Sequence, residues 1–160
     1  MPDGGEPVTI KVASGMTEID AATWDACAGD DNPFVSHAFL LTLEDSGAVT
    51  RDTGWLPQHL VIEDEAGDML GAVPGYLKSH SYGEYVFDWG WADAFEKAGG
   101  DYYPKLQASV PFSPVTGPRL LTRLGPNQDH TRSLLLAGLT ELARKNEISS
   151  FHVTFCTESE

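Results

Sequence analysis

The chain has 160 residues, of which 41% are hydrophobic and 21% are charged. This is enough apolar sequence to build one core, so we expect a single domain over residues 1–160. No window approaches the roughly 18 consecutive apolar residues that a membrane span requires. The acidic start from Met1 to Glu6 lacks the apolar core of a signal peptide, and we therefore expect a cytoplasmic protein.

The net charge of −14 is distributed unevenly along the chain. Residues 1–70 contain fourteen acidic residues and only two basic ones, Lys11 and Arg51. From Gly71 onward, eight basic residues nearly balance ten acidic ones. An acidic first half repels phosphate backbones and anionic lipids, so we expect no nucleic acid or membrane partner and place any ligand in the second half.

The first secondary structure elements follow from alternation and capping signals. Val8–Val12 alternates and predicts a strand. Thr17 is the expected N-cap of a helix from about Glu18–Ala28, and Ser36 is that of a second helix that ends near Gly47.

A hairpin is predicted next. Two strand-like runs, 57–64 and 69–78, flank Glu65-Ala66-Gly67-Asp68, a combination of acid and glycine that is typical of a hairpin turn. Pro74-Gly75 interrupts the second run and indicates a bulge or an edge that faces a ligand.

The second half alternates strands and helices. Short strands are predicted at 84–88, 105–110 and 150–156, and a two-turn helix at 91–98. The clearest helix begins at Asn127 or Asp129 and ends at Arg144-Lys145, with a buried stripe of Leu134, Leu135, Leu139 and Leu142.

This order of elements resembles that of the GNAT acyltransferase fold. It predicts an α/β (α+β) domain with a central, twisted, mixed sheet and helices on both faces. GNAT enzymes hold the pyrophosphate of acetyl-CoA on a Gly-rich turn that precedes the third helix. Here the matching stretch, Tyr85 to Asp93, has one glycine and two carboxylates, Asp88 and Asp93. Carboxylates repel phosphate, so we expect no coenzyme A, and no other cofactor or metal.

Aromatic residues are concentrated around the same stretch. We assign Phe87, Phe95 and Phe112 to the core. Trp89 and Trp91 each carry an N–H that needs a partner when buried, so they either pack in the core or form the wall of a groove for a polar ligand.

Two loops offer further polar groups. His80 is a candidate base, oriented by Asp88 or Glu84, although a solvated loop histidine is the commoner case. The Pro/Gly-rich loop 111–119 displays Ser113, Thr116 and Arg119. It is either a rigid connector or a site where the Arg119 fork holds a carboxylate or phosphate.

Several stretches are similar to a bacterial family of FemAB-like N-acyltransferases, and together they cover nearly the whole chain. They are 32–40, 71–88, 102–107, 113–121 and 152–155. The resemblance implies a longer protein with two GNAT-like halves, named for peptidoglycan biosynthesis or recognition, of which residues 1–160 look like the N-terminal half.

The resemblance also implies the chemistry: transfer of an acyl or aminoacyl group to an amine acceptor, such as a peptidoglycan precursor. We expect the acyl donor to be bound by a C-terminal half. Asp88, and after it His80, are the candidates for contact with the acceptor amine. The candidates for positioning the substrate are Tyr82, Tyr85, Trp89, Trp91, Asp93, Lys105, Ser113, Thr116 and Arg119. The alternative is a non-catalytic module that recognises peptidoglycan or peptide.

The missing phosphate turn leads to the first prediction. In calorimetry, the chain should show no acetyl-CoA binding at micromolar concentrations, because Asp88 and Asp93 oppose the pyrophosphate. A dissociation constant below about 10 μM, roughly −7 kcal/mol, would contradict this expectation.

Overall fold

The computed structural model describes residues 6–160, and within that range the chain forms eight strands and four α-helices in a mixed α/β arrangement. The strands are β1 (Thr9–Ala13), β2 (Trp55–Pro57), β3 (His59–Glu63), β4 (Met69–Val73), β5 (Gly75–Lys78), β6 (Lys105–Ala108), β7 (Leu121–Thr122) and β8 (Phe151–Val153). The helices are α1 (Ala21–Ala28), α2 (His37–Asp45), α3 (Trp89–Lys97) and α4 (Gln128–Lys145). Residues 1–5, which carry most of the argument against a signal peptide, lie outside the described residues.

The strands form two sheets, so the prediction of one central sheet was wrong. The first sheet has the order β1-β3-β4-β7, and the second has the order β2-β5-β6-β8. All pairs are antiparallel except β6 with β8, which is parallel.

The two sheets are joined by one hairpin that runs through both. Pro57 pairs with Tyr76 in the second sheet, and Leu60 pairs with Val73 in the first, in the same register. Between these pairs, the Gln58 N–H donates to the Gly75 carbonyl at 2.8 Å. Beyond Pro74, the neighbour of the hairpin changes from β7 to β6. The predicted interruption at Pro74-Gly75 is thus the junction of the two sheets.

Helices cover both faces of the first sheet, as predicted. Val61 packs with residues of α1 and α2, including Trp24 and Leu40. Side chains alternate between faces along a strand, and Leu60 and Ile62 pack instead with α4. The leucine stripe of α4 is confirmed: Leu135 and Leu139 are fully buried, and Leu142 is partly buried in the same cluster.

The ends of the early helices are set by local capping. Ser36 caps α2 as predicted, since its side chain accepts from the Phe39 N–H. The first helix differs: the Asp20 side chain caps it by accepting from the Thr23 N–H at 3.0 Å, so α1 begins at Ala21 and Thr17 is not its cap.

Residues 84–88 form no strand, contrary to the prediction. Tyr85 has a positive φ of 58°, which breaks an extended run. Glu84 is buried, whereas Phe87 is 88% exposed. Across residues 6–160, no helix combines the length and the apolar character needed to cross a bilayer.

The junction generates a stability prediction. A Cβ on Gly75 would lie 2.5 Å from the Gln58 carbonyl oxygen, which is backbone and cannot move aside. Gly75→Ala should therefore lower the free energy of unfolding by about 1–3 kcal/mol in chemical denaturation. Gly90→Ala, on α3, meets nothing within 4 Å and serves as the control. It should leave stability unchanged or raise it by up to about 1 kcal/mol. Equal effects of the two changes would contradict the junction constraint.

Candidate functional site

The second sheet has one apolar face and one polar face, and each face carries buried side chains. Leu106 and Val153 point into the core shared with α4. On the opposite face, Lys78 lies beside Lys105, and Gln107 lies between Tyr76 and His152. Lys78, Lys105 and Gln107 are 0% exposed. The chain between β5 and β6, residues 79–104, contacts the two lysines and is called the covering segment here.

A buried charge cluster of Lys78, Glu84, Asp88 and Lys105 ties this segment to the sheet. The Lys105 Nζ donates to Glu84 Oε2 at 2.7 Å and to Asp88 Oδ2 at 2.6 Å. The Lys78 Nζ lies 4.0 Å from Glu84 Oε1 and 3.5 Å from the centroid of the Trp55 ring. The two buried lysines are thus neutralised by Glu84, which is also buried, and by Asp88, which is partly buried, as a buried charge requires.

Burial and pairing shift the pKa values in this cluster. Burial lowers the pKa of Lys78 to about 8, although the nearby Glu84 opposes the change. Burial also raises the pKa of Glu84. For Asp88, burial acts to raise the pKa, but hydrogen bonds led by that from Lys105 outweigh it and hold the pKa at about 2. Asp88 is therefore a stable anion at neutral pH and a poor proton acceptor.

The hydrogen bonds of Asp88 involve only one of its two carboxylate oxygens. The Tyr102 hydroxyl donates at 2.6 Å to Oδ2, the same oxygen that Lys105 contacts. Within residues 6–160, the other oxygen, Oδ1, is buried and has no hydrogen-bond partner. Lys105 and Tyr102 thus fix the orientation of the carboxylate without saturating it.

Asp88 borders a cavity of about 420 Å³ between α3 and β8, called the α3–β8 cavity here. Its other lining residues are Trp91, Phe95, Tyr102, Ser149, Ser150 and His152. The structure therefore brings together two of the predicted site residues, Asp88 and Trp91. Lys105 does not line the cavity, but its Nζ donates a hydrogen bond to Asp88 and so holds that carboxylate in place.

His152 belongs to this cavity and was not among the predicted site residues. Its Nε2 is 2.9 Å from Ser150 Oγ, and its ring meets that of Tyr102 edge-on with centroids 6.0 Å apart. Burial lowers its pKa, and the charge of Lys105 adds to the effect. Alternation along a strand puts His152 on the face opposite Phe151, but only the tertiary structure shows what covers that side.

A second, aromatic surface lies on the covering segment. Tyr82, Tyr85, Phe87 and Trp89 line a cavity of about 370 Å³ together with Ser81, Gly83 and Val86. Tyr82 and Trp89 make an edge contact with centroids 4.9 Å apart. The core assignments were wrong, because Phe87, Phe95 and Phe112 are exposed. The covering segment uses its polar side chains to contact the sheet, which leaves Phe87 and Phe95 facing solvent.

The other candidates lie elsewhere. The His80 Nδ1 accepts from the Tyr82 N–H at 3.2 Å, and its ring packs against Gly54. Within the described part of the chain, it makes no hydrogen bond to Asp88 or Glu84. Asp93 forms an exposed ion pair with Lys97 on α3, at 2.6 Å.

The loop 113–119 does not join the α3–β8 cavity. Arg119 is 0% exposed, and its guanidinium donates to the carbonyl oxygens of Val115 (2.8 Å), Thr154 (3.0 Å) and Pro118 (3.2 Å). Ser113 is buried and accepts from the Val115 N–H, while Thr116 is exposed and lines neither cavity. Arg119 therefore holds its own loop together, and its fork is not presented to an anion. No grouping of His, Cys, Asp or Glu that could hold a metal ion occurs among residues 6–160.

The buried charge cluster generates the next prediction. Lys105→Met should lower the free energy of unfolding by about 3–5 kcal/mol, because it leaves the buried Glu84 and the partly buried Asp88 with Lys78 as the one cation of the cluster. Adding Glu84→Gln should restore part of the loss, since one charge of each sign then remains. Lys97→Met is the matched control, because its side chain is 75% exposed, and it should change stability by at most about 0.5 kcal/mol. Equal losses for the two single variants in urea denaturation would contradict the role of the cluster.

Comparison with known proteins identifies the family. A family model described as FemAB-like, peptidoglycan biosynthesis and recognition, matches residues 15–160. Searches of curated proteins and of solved structures returned no significant match. The family match includes β2, β5, β6, β8 and the covering segment, and hence every residue of the α3–β8 cavity. The chain thus belongs to the FemAB-like family of peptidoglycan biosynthesis and recognition proteins.

Proposed function

We propose that residues 1–160 form one GNAT-like half of a cytoplasmic enzyme that transfers an acyl or aminoacyl group to an amine of a peptidoglycan precursor. Family membership supports the connection with peptidoglycan. The two helices after the first strand and the later alternation of helix and strand support the GNAT-like assignment, although the strand predicted at 84–88 is absent and the strands form two sheets. The acyl donor lies outside the described site, on another part of the full-length protein.

The observation that carries the proposal is the orientation of Asp88 in the α3–β8 cavity. Its carboxylate is ionised at neutral pH, and Oδ1 has no partner within residues 6–160. A primary ammonium group donates hydrogen bonds and carries the opposite charge, so it suits the Asp88 carboxylate at the cavity. The rings of Trp91 and Phe95 line the same cavity and suit an aliphatic stem or a cation. The cavity therefore favours an organic ammonium ligand.

The role of Asp88 in such a transfer follows from its pKa. A group with a pKa of about 2 does not remove a proton from an ammonium ion near pH 7. Asp88 instead holds the acceptor nitrogen in place, and positioning of this kind lowers the barrier to attack on an acyl carbonyl. Lys105 and Tyr102 are positioning residues, because they act through Asp88 Oδ2.

The exposed aromatic surface favours a second candidate function, non-catalytic recognition of peptidoglycan. Tyr82, Tyr85, Phe87 and Trp89 are between 44% and 88% exposed, and side chains of this size are rarely left in solvent together. Aromatic faces pack well against the apolar faces of sugars and peptides. This surface contains no ionised side chain, so it offers binding without an evident group for chemistry.

The two functions differ in their dependence on the amine. A muropeptide with a free side-chain amine should bind the wild-type chain, and Asp88→Asn should weaken its binding at least about tenfold, or roughly 1.4 kcal/mol, in calorimetry. The same muropeptide with its amine acetylated should bind the wild-type chain about as weakly as the free-amine muropeptide binds Asp88→Asn. Asp93→Asn is the control, since that carboxylate is exposed and paired with Lys97. Thermal melting should show that both variants are folded.

Two results would contradict the proposal. If the wild-type chain and Asp88→Asn bind the muropeptide with equal affinity, Asp88 does not bind the amine and the proposal is wrong. Binding that is insensitive to acetylation of the amine but lost in Trp89→Ala would instead support the recognition function.

A further inference from the structure

The α3–β8 cavity contains a second titratable group besides Asp88. His152 reaches it from β8, while Asp88 reaches it from the start of α3. The two residues come from segments far apart in the sequence and are brought together only by the parallel pairing of β6 with β8, which places His152 beside Gln107. The cavity thus joins a permanent anion and an imidazole.

The chemistry of amine acylation requires a proton acceptor at such a place. An ammonium ion has no lone pair, so it must lose a proton before its nitrogen attacks a carbonyl carbon. Asp88 is too weak a base, and Tyr102 already donates its hydroxyl proton to Asp88. The remaining lining groups are the rings of Trp91 and Phe95 and the hydroxyls of Ser149 and Ser150. His152 alone among the lining residues has a nitrogen that is neutral, and therefore basic, near pH 7.

The surroundings of His152 suit this task. Ser150 Oγ lies 2.9 Å from Nε2 and fixes the orientation of the ring. Within residues 6–160, Nδ1 makes no hydrogen bond, so the tautomer that donates from Nε2 to Ser150 leaves the Nδ1 lone pair available. The charged groups that act on the ring are Lys105 from β6, which favours the neutral form, and Asp88, which favours the protonated form. The Tyr102 ring packs against its edge.

We propose that His152 is the general base of the amine site, which accepts the proton that the ammonium group releases beside Asp88; this inference rests on the proposed function. One N–H bond of the ammonium breaks, and the proton moves to Nδ1 of His152. The freed lone pair forms the C–N bond with the carbonyl carbon of an activated acyl ester. The C–O bond of the ester then breaks, and the leaving oxygen takes the electron pair and the second proton of the nitrogen. The products are an amide and an alcohol, and His152 returns its proton to solvent.

The first test locates His152 beside the bound amine. The probe is Nα-acetyl-lysinamide, a simple primary ammonium, and the imidazole signals of the uniformly labelled chain are followed by NMR as a function of pH. The probe should lower the titration midpoint of His152, because a cation at Asp88 disfavours imidazolium. The shift should vanish in Asp88→Asn and with the Nε-acetylated probe. His130, exposed on α4, is the internal control and should not move.

The second test concerns proton transfer in the full-length protein. With the probe as acceptor and an activated aminoacyl ester as donor, His152→Gln should lower kcat by about 10²–10⁴-fold with little change in KM. The acidic limb of the pH–rate profile should follow the His152 midpoint in the wild-type protein and disappear in the variant. Thermal melting of His152→Gln separates this effect from a loss of folding.

The outcomes distinguish this inference from the function on which it rests. Failure of the wild-type chain to bind the probe, or of the full-length protein to acylate it, would contradict the proposed function. Binding that depends on Asp88 but leaves His152 unshifted would overturn the inference alone. So would a wild-type rate and an unchanged acidic limb in a folded His152→Gln variant.

Discussion

Two lysine ammonium groups lie out of water on one face of the second sheet, and the arrangement around them depends on neutralising their charge. Lys78 and Lys105 are neighbours on β5 and β6, so each makes the burial of the other more costly. Glu84 and Asp88 compensate this cost because the covering segment folds back over the sheet. Leaving a buried charge without its partner costs far more free energy than leaving an exposed charge without one. This face of the sheet can therefore be buried only when the covering segment is folded so that its carboxylates meet the lysines.

The same ion pairs prepare the candidate site. Lys105 uses its charge to hold Asp88 and to lower its pKa, and Tyr102 donates to the same carboxylate oxygen. Asp88 itself borders the α3–β8 cavity, where His152 and the rings of Trp91 and Phe95 complete the lining. Fold and site therefore share one set of interactions. A change behind the cavity wall should alter ligand binding as well as stability, so the two must be measured separately for each variant.

Much of the fold was predictable because its signals are local. The leucine stripe of α4, the hairpin between β3 and β4 and the Ser36 cap depend on residues within a few positions of each other. The division into two sheets was not predictable, since Pro74-Gly75 marks an interruption but does not say which strand pairs on either side. Two residues of the candidate site, Asp88 and Trp91, were predicted from the sequence, because they lie in an aromatic-rich stretch that has carboxylates where a GNAT enzyme has its phosphate-binding turn. Arg119 was assigned to the site on its chemistry alone, but it is buried and bonded to carbonyl oxygens of its own loop and the segment after β8.

The sequence by itself determined the family, the mixed α/β character and most helix and strand positions, because motifs and periodicity are carried by neighbouring residues. Only the tertiary structure decided which faces are buried. In Lys105-Leu106-Gln107-Ala108, strand alternation suggests a solvent-facing side for Lys105 and Gln107, yet both are fully buried. The partners of Lys105 lie 21 and 17 residues earlier, at Glu84 and Asp88, and no periodic pattern links them. Charge compensation acts through space and not along the chain. The polar side of β6, which the alternation alone would assign to the protein surface, is therefore buried once the covering segment has folded back over it.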